Sequence, residues 1–118
     1  MKALLFALAV LTAGAAAAQE VVSAPGVVLR ALDRVSGDVE DIEVDAGGQA
    51  QFHDLLVTVS DCRYPAGDRS ANAYAHLTIS HQGSETPAFD GWMIASSPAL
   101  SALDDPRYDV WVLRCKSE

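Results

Sequence analysis

Leu55-Leu56-Val57-Thr58-Val59-Ser60-Asp61-Cys62 (residues 55–62) reads as a β-strand and decides the fold class. Leu55, Val57 and Val59 line one face, and Thr58 and Ser60 line the other. This is the two-residue period of a half-buried strand. Cys62 falls on the opposite parity from Val57 and Val59. Either a bulge lies between them or the half-cystine sits at the margin of the sheet.

The same period recurs on both sides of this stretch. Upstream, Val27, Leu29, Ala31 and Val35 alternate with Arg30 and Arg34. Ser36-Gly37-Asp38 supplies a tight turn, and Val39–Val44 follows with Ile42 and Val44 inward and Asp41, Glu43 and Asp45 outward. Together these predict a β-hairpin, which Gly47-Gly48 ends. Downstream, Tyr64-Pro65 through Asn72 reads as a polar loop. Ala73–Ser80 is a further strand, with Ala75, Leu77 and Ile79 inward and Tyr74, His76 and Thr78 outward. Gln82–Pro87 is a second turn. Phe89–Ala95 is another strand, in which Gly91 marks a bulge or a close backbone approach. Ser97 as N-cap and Pro98 at the first helical position predict one short helical turn, ended by Asp105-Pro106. Tyr108–Cys115 is apolar on both faces and is expected to be central. These six to seven short strands predict an all-β fold, a small antiparallel sandwich or a partly open barrel.

The N-terminus predicts export. Lys2 gives a positive start, Ala3–Leu11 an apolar stretch, and Ala16-Ala17-Ala18 a small-residue cleavage site before Gln19. Ala3–Ala18 falls short of the ~20 apolar residues that cross a bilayer. Residues 1–18 are therefore expected to be a signal peptide. Residues 19–118, about 100 residues, are expected to be a single disulfide-closed β domain without a membrane span. The location this implies is periplasmic.

The chain carries 16 Asp and Glu against 8 Lys and Arg, a formal net charge of −8. Such an anion is a poor ligand for nucleic acid, whose backbone is bound by Lys and Arg displacing counterions. It is equally poor for anionic lipid surfaces. Cys62 and Cys115 are the two cysteines. In an exported chain they read as one disulfide closing a loop of about fifty residues, which the chain-entropy argument values at about 4 kcal/mol.

Little points to catalysis. His76 and His81 are an odd number of residues apart, on opposite faces of a regular strand, and His53 adjoins Asp54 at a strand start. A zinc site needs three or four convergent ligands, and no short spacing supplies them. Ser96 and Ser97 lack the Gly-x-Ser-x-Gly elbow. Asp104 and Asp105 are neighbours that diverge in a turn before Pro106. No catalytic residue, cofactor or metal ligand is assigned, and the chain is expected not to be an enzyme.

The densest segment runs from Phe89 to Cys115 and holds both tryptophans. Trp111 is expected to pack in the core beneath the disulfide. Trp92 is divided between core and contact surface. The candidate binding surface is Ser96, Ser97, Pro98, Asp104 and Arg107, flanked by Trp92 and Tyr108.

Three motifs carry a family resemblance: Gly91-Trp92-Met93-Ile94-Ala95-Ser96-Ser97-Pro98-Ala99-Leu100, Pro106-Arg107-Tyr108-Asp109-Val110-Trp111, and Arg114-Cys115. Arg30-Ala31-Leu32-Asp33-Arg34, Leu56–Val59 and Cys62-Arg63-Tyr64-Pro65 belong to the same pattern. The chain resembles domain-of-unknown-function family 2155, small exported proteins of alphaproteobacteria. The resemblance implies an envelope location and no activity.

The expected function is thus a periplasmic accessory module that binds another cell-envelope protein. Two alternatives stand beside it. One is a small-ligand or glycan-binding domain with a cleft lined by Trp92, Tyr108 and Tyr74. The other is a small hydrolase using His76 or His53. The residues leave oligomeric state open.

Overall fold

The computed structural model describes residues 20–117; the signal peptide expected over residues 1–18 lies outside them. The described residues form eight antiparallel strands in two sheets, β1 (Val21–Ser23), β2 (Gly26–Asp33), β3 (Val39–Asp45), β4 (Gln49–Phe52), β5 (Leu55–Pro65), β6 (Tyr74–His81), β7 (Phe89–Ile94) and β8 (Tyr108–Cys115). One sheet has the order β1-β5-β6-β7, with β4 also paired to β5. The other is β3-β2-β8. The all-β, sandwich-like expectation is met.

β5 organises the larger sheet. Its first half pairs with β4 (Gln49 opposite Thr58) and its second half with β1 (Val21 opposite Pro65), while β6 runs along its other side. Val27, Leu29 and Ala31 of β2, Leu55, Val57 and Val59 of β5, Ala75, Leu77 and Ile79 of β6, and Val110 and Val112 of β8 share one core. Each large side chain removed from water there contributes about 1.5–3 kcal/mol before entropy is subtracted. The chain crosses between sheets at Ala24-Pro25. Gly26 starts β2 so close to β3 that a Cβ there would lie 2.4 Å from the carbonyl oxygen of Val44.

The parity of Cys62 is resolved by a bulge. Val59 faces Leu77 but Asp61 faces His76, so Ser60 is the extra residue on β5 and Cys62 turns inward. β8 does the same. Leu29 faces Val112 but Val28 faces Arg114, which makes Leu113 the extra residue and turns Cys115 inward. The disulfide then joins the two sheets through the core, with Cα atoms 5.7 Å apart.

Several local expectations are corrected. β8 is an edge strand rather than a central one, because β2 takes the middle of the three-stranded sheet. Trp111 stands on the outer face of β8, since Val110 and Val112 occupy the inner face; it borders a hollow with Pro98, Ala99 and Ala102. The polar loop starts later than Tyr64, because β5 runs on to Pro65 against β1. Val35 leaves the β2 alternation for the turn and is exposed. Gly91 marks no bulge, for the β6–β7 register is unbroken, and a Cβ there would meet only the Phe89 ring, at 3.6 Å. The short helical turn is 3-10, Pro98–Leu100, with Pro98 in its first turn as expected but no side-chain bond from Ser97. It ends well before Asp105-Pro106.

Candidate functional site

The outer face of the larger sheet carries the most exposed aromatic group among the described residues. Alternation along β7 turns Met93 inward and Trp92 outward, where it is 39% exposed. Arg63, sent outward by the Ser60 bulge, places its guanidinium 5.0 Å from the Trp92 ring centre, a cation–π contact. Asp61 accepts from Arg63 Nε at 2.7 Å and holds the side chain there. The His76 ring meets Trp92 edge-on at 5.3 Å. Trp92, Arg63, Tyr74, Ile94 and Val21 line a shallow, mainly apolar hollow that spans β1, β5, β6 and β7.

Polar groups border this hollow. His76 Nδ1 lies 3.1 Å from Ser60 Oγ. On the ring's other side Nε2 is 3.7 Å from Asp90 Oδ1, which accepts from Thr78 Oγ1 at 3.1 Å. The set contains a serine, a histidine and an aspartate, but 3.7 Å is beyond a hydrogen bond. Ser60 also sits on an exposed bulge on the open face of the sheet.

A second polar cluster closes one end of the sandwich. Asp33 is fully buried at the end of β2. It accepts from Arg107 Nε at 3.1 Å and Nη2 at 2.9 Å, and from the backbone N–H of Val35 and Ser36. The Arg107 guanidinium is the main cause holding the Asp33 carboxyl well below the usual carboxylate range. Asp105 is buried too. Its burial pushes the carboxyl up, but donation from the backbone N–H of Tyr108 and Arg107 and from the His81 ring outweighs this and holds it below its ordinary value. His81 bridges Asp54 and Asp105, through Nδ1 at 3.0 Å and Nε2 at 2.5 Å. Asp54 first, and Asp105 next, push its imidazolium up in pKa. His53 binds Asp38 through Nε2 at 2.8 Å and packs against Phe52. These groups satisfy one another, so the cluster reads as a clasp between loops. Among the described residues, no three His, Cys, Asp or Glu converge in a metal-binding arrangement.

The sequence-selected surface is not one patch. Trp92 lies in the hollow. Ser96 is bound to Asn72, its Oγ accepting from Nδ2 at 2.8 Å. Ser97 and Pro98 start the turn beside Trp111, and Asp104 is exposed. Arg107 is committed to Asp33. Tyr108 is 2% exposed, so it is a core residue and offers neither a contact surface nor a cleft wall. It points inward with Val110 and Val112 and stacks edge-on to Phe52 at 6.1 Å. Tyr74 and Trp92 do line one hollow. Arg63, Val21 and Ser60 were missed, though the parity of Cys62 was a signal for the bulge that presents Arg63.

A profile of the family described as "uncharacterized protein conserved in bacteria", domain of unknown function 2155, matches residues 27–115. The chain is similar to the uncharacterized protein RP359 of Rickettsia prowazekii (strain Madrid E), 27% identical over 88 residues. That match covers 72% of this chain and 57% of the Rickettsia protein, so the chain spans little more than half of its relative. No solved structure matches the chain.

Proposed function

The chain belongs to the family of uncharacterized proteins conserved in bacteria, domain of unknown function 2155, and from that premise we propose that it is a periplasmic, non-enzymatic accessory module that binds another cell-envelope protein. The observation that carries this reading is Trp92, a large aromatic held outward over an apolar hollow with Arg63 fixed above its ring. Tryptophan and arginine are the residue types enriched at protein contacts and at their energetic centres. The inter-sheet disulfide and the leader-like residues 1–18 support an oxidising compartment.

The test is photocrosslinking in cells from a probe at Ile94 or Val21, at the border of the hollow, with Glu43 on the other sheet as control. A discrete protein adduct from the hollow alone, lost in Trp92→Ala, supports the reading. Equal adducts from Glu43, or none from a chain shown to be folded and oxidised, reject it.

A second reading rests on Ser60, His76, Thr78 and Asp90 around the exposed indole. Short polar side chains beside an aromatic ring suit a sugar. A melting midpoint raised by envelope glycans, and not in Trp92→Ala, would favour it.

A further inference from the structure

We propose that β7 is the docking edge for a cationic extended segment of another protein, which adds to the larger sheet as a further strand and lays its side chains beside Trp92. This rests on the binding-module reading and specifies how the partner is held.

The backbone comes first. β7 pairs with β6 on one side, and among the described residues no strand pairs with its other side. Ala95 N–H donates to Ala73 C=O, and the register sets Tyr74 opposite Ile94 and His76 opposite Trp92. In an antiparallel ladder bonded and non-bonded pairs alternate. Gly91 and Met93 therefore bond to β6, while the N–H and C=O groups of Asp90 and Trp92 point away from it. An unpaired row of this kind is a template for an added strand.

The other edges offer less. β3 carries Glu40, Asp41, Glu43 and Asp45 within seven residues, of which Asp41 and Asp45 are already paired to Arg30 and Lys116; peptide-induced shifts along β3 in place of β7 would overturn the assignment. β1 has only three residues, and β4 only four. β8 is flanked by the segment around Pro98, Ala99 and Ala102. β7 offers six residues, Phe-Asp-Gly-Trp-Met-Ile, with one charge and an aromatic platform.

Charge selects the occupant. The chain is at −8 overall and Asp90 is the charged residue on β7, while the Arg63 guanidinium already lies over the Trp92 ring. A strand with Lys or Arg at alternate positions sets a cation against Asp90 and an aliphatic stem against the indole. A second copy brings another −8 to the same edge and is disfavoured.

The probe is the acetylated, amidated peptide Lys-Val-Lys-Val-Lys-Val-Lys, titrated into the 15N-labelled, oxidised mature chain, with Glu in place of Lys as control. Saturable shifts along β7, slowed exchange of the Trp92 amide and no response to the Glu peptide are expected. Asp90→Pro removes an outward N–H that β6 does not use, and Asp90→Lys guards the edge without touching the backbone. Each should weaken binding at least tenfold with the disulfide and near-ultraviolet dichroism intact. Should Asp90→Pro misfold, Asp90→Lys decides alone. Strand addition is overturned by no binding at millimolar peptide, by equal binding of the Glu peptide, or by indole shifts without protection of the Trp92 amide. That last outcome leaves the binding-module reading standing, while loss of the crosslinks from the hollow would remove it.

Discussion

Ser60 and Leu113 hold equivalent positions in the two sheets. Each is the extra residue of a β-bulge, and each stands two residues before a half-cystine. Without the bulges, strand alternation that keeps Val59 and Val112 inward would turn Cys62 and Cys115 outward. Deleting Leu113 removes the extra residue and leaves a regular strand in which Arg114 still faces Val28 and Cys115 still faces Val27, inward. That variant is expected to keep its disulfide. Deleting Leu113 and Arg114 together places Cys115 directly after the inward Val112, on the outer face, and should give two alkylatable thiols by mass and a loss of about 4 kcal/mol in urea unfolding. Free thiols in the single deletion, or a disulfide in the double one, would refute the account.

His53 occupies the first position of the two-residue turn between β4 and β5 with φ of +50°. An L-residue there costs roughly 1–2 kcal/mol relative to glycine. His53 is kept in place by Asp38 and by packing on Phe52. His53→Ala loses both contacts and retains the strain; His53→Gly loses the contacts and relieves it. The glycine variant should therefore be the more stable by about 1 kcal/mol. Urea unfolding of the two variants side by side checks the order.

Much of this architecture is legible in the residues. Alternation in β2, β5 and β6 gives faces that hold through the fold, because one side of each strand is in the core and a register slip would expose all of it. Position within a sheet is less legible. Tyr108–Cys115 has apolar residues on both faces, which reads as central, yet Trp111 and Leu113 are half-buried and border hollows shared with loop residues, Pro98 and Ala99 for the first and Arg69 and Ser70 for the second, and not with another strand. The site is legible only in part. Trp92 follows from parity, whereas Arg63 reaches it through a bulge, and a bulge depends on a partner strand. Tyr108 reads as a flank of the candidate surface, yet the buried Asp105, accepting from the Tyr108 N–H, turns the chain inward at that point.

The His81 bridge has a pH dependence of definite sign. Asp54 and Asp105 face its two ring nitrogens and raise its folded pKa above the ordinary value near 6.5. Stabilisation from the imidazolium is then complete below about pH 6.5 and lost as pH rises through the higher folded value. The melting-temperature advantage of the parent over His81→Gln should be larger at about pH 5.5 than at about pH 9. A gap independent of pH would remove the charged bridge.

Asp33 and Arg107 respond in the opposite direction. The folded pKa of Asp33 is lowered, chiefly by the Arg107 guanidinium. Its contribution is present above the unfolded value near 3.9 and is lost as pH falls through the folded one. Asp33 is fully buried, so Arg107→Ala leaves its carboxylate with the backbone N–H groups of Val35 and Ser36 and the His53 ring at 3.7 Å, whereas Asp33→Asn leaves no charge behind. Truncating one partner of a buried pair costs more than neutralising the buried group. Arg107→Ala should therefore lower the melting temperature more than Arg30→Ala, whose partner Asp41 is exposed. Asp33→Asn should flatten the acid limb of stability against pH, while Asp41→Asn should leave most of its slope. Melting curves of these variants between about pH 2 and pH 7 measure both effects. An Arg107→Ala loss no larger than that of Arg30→Ala would show that the pair does not clasp the β2–β3 turn to the start of β8.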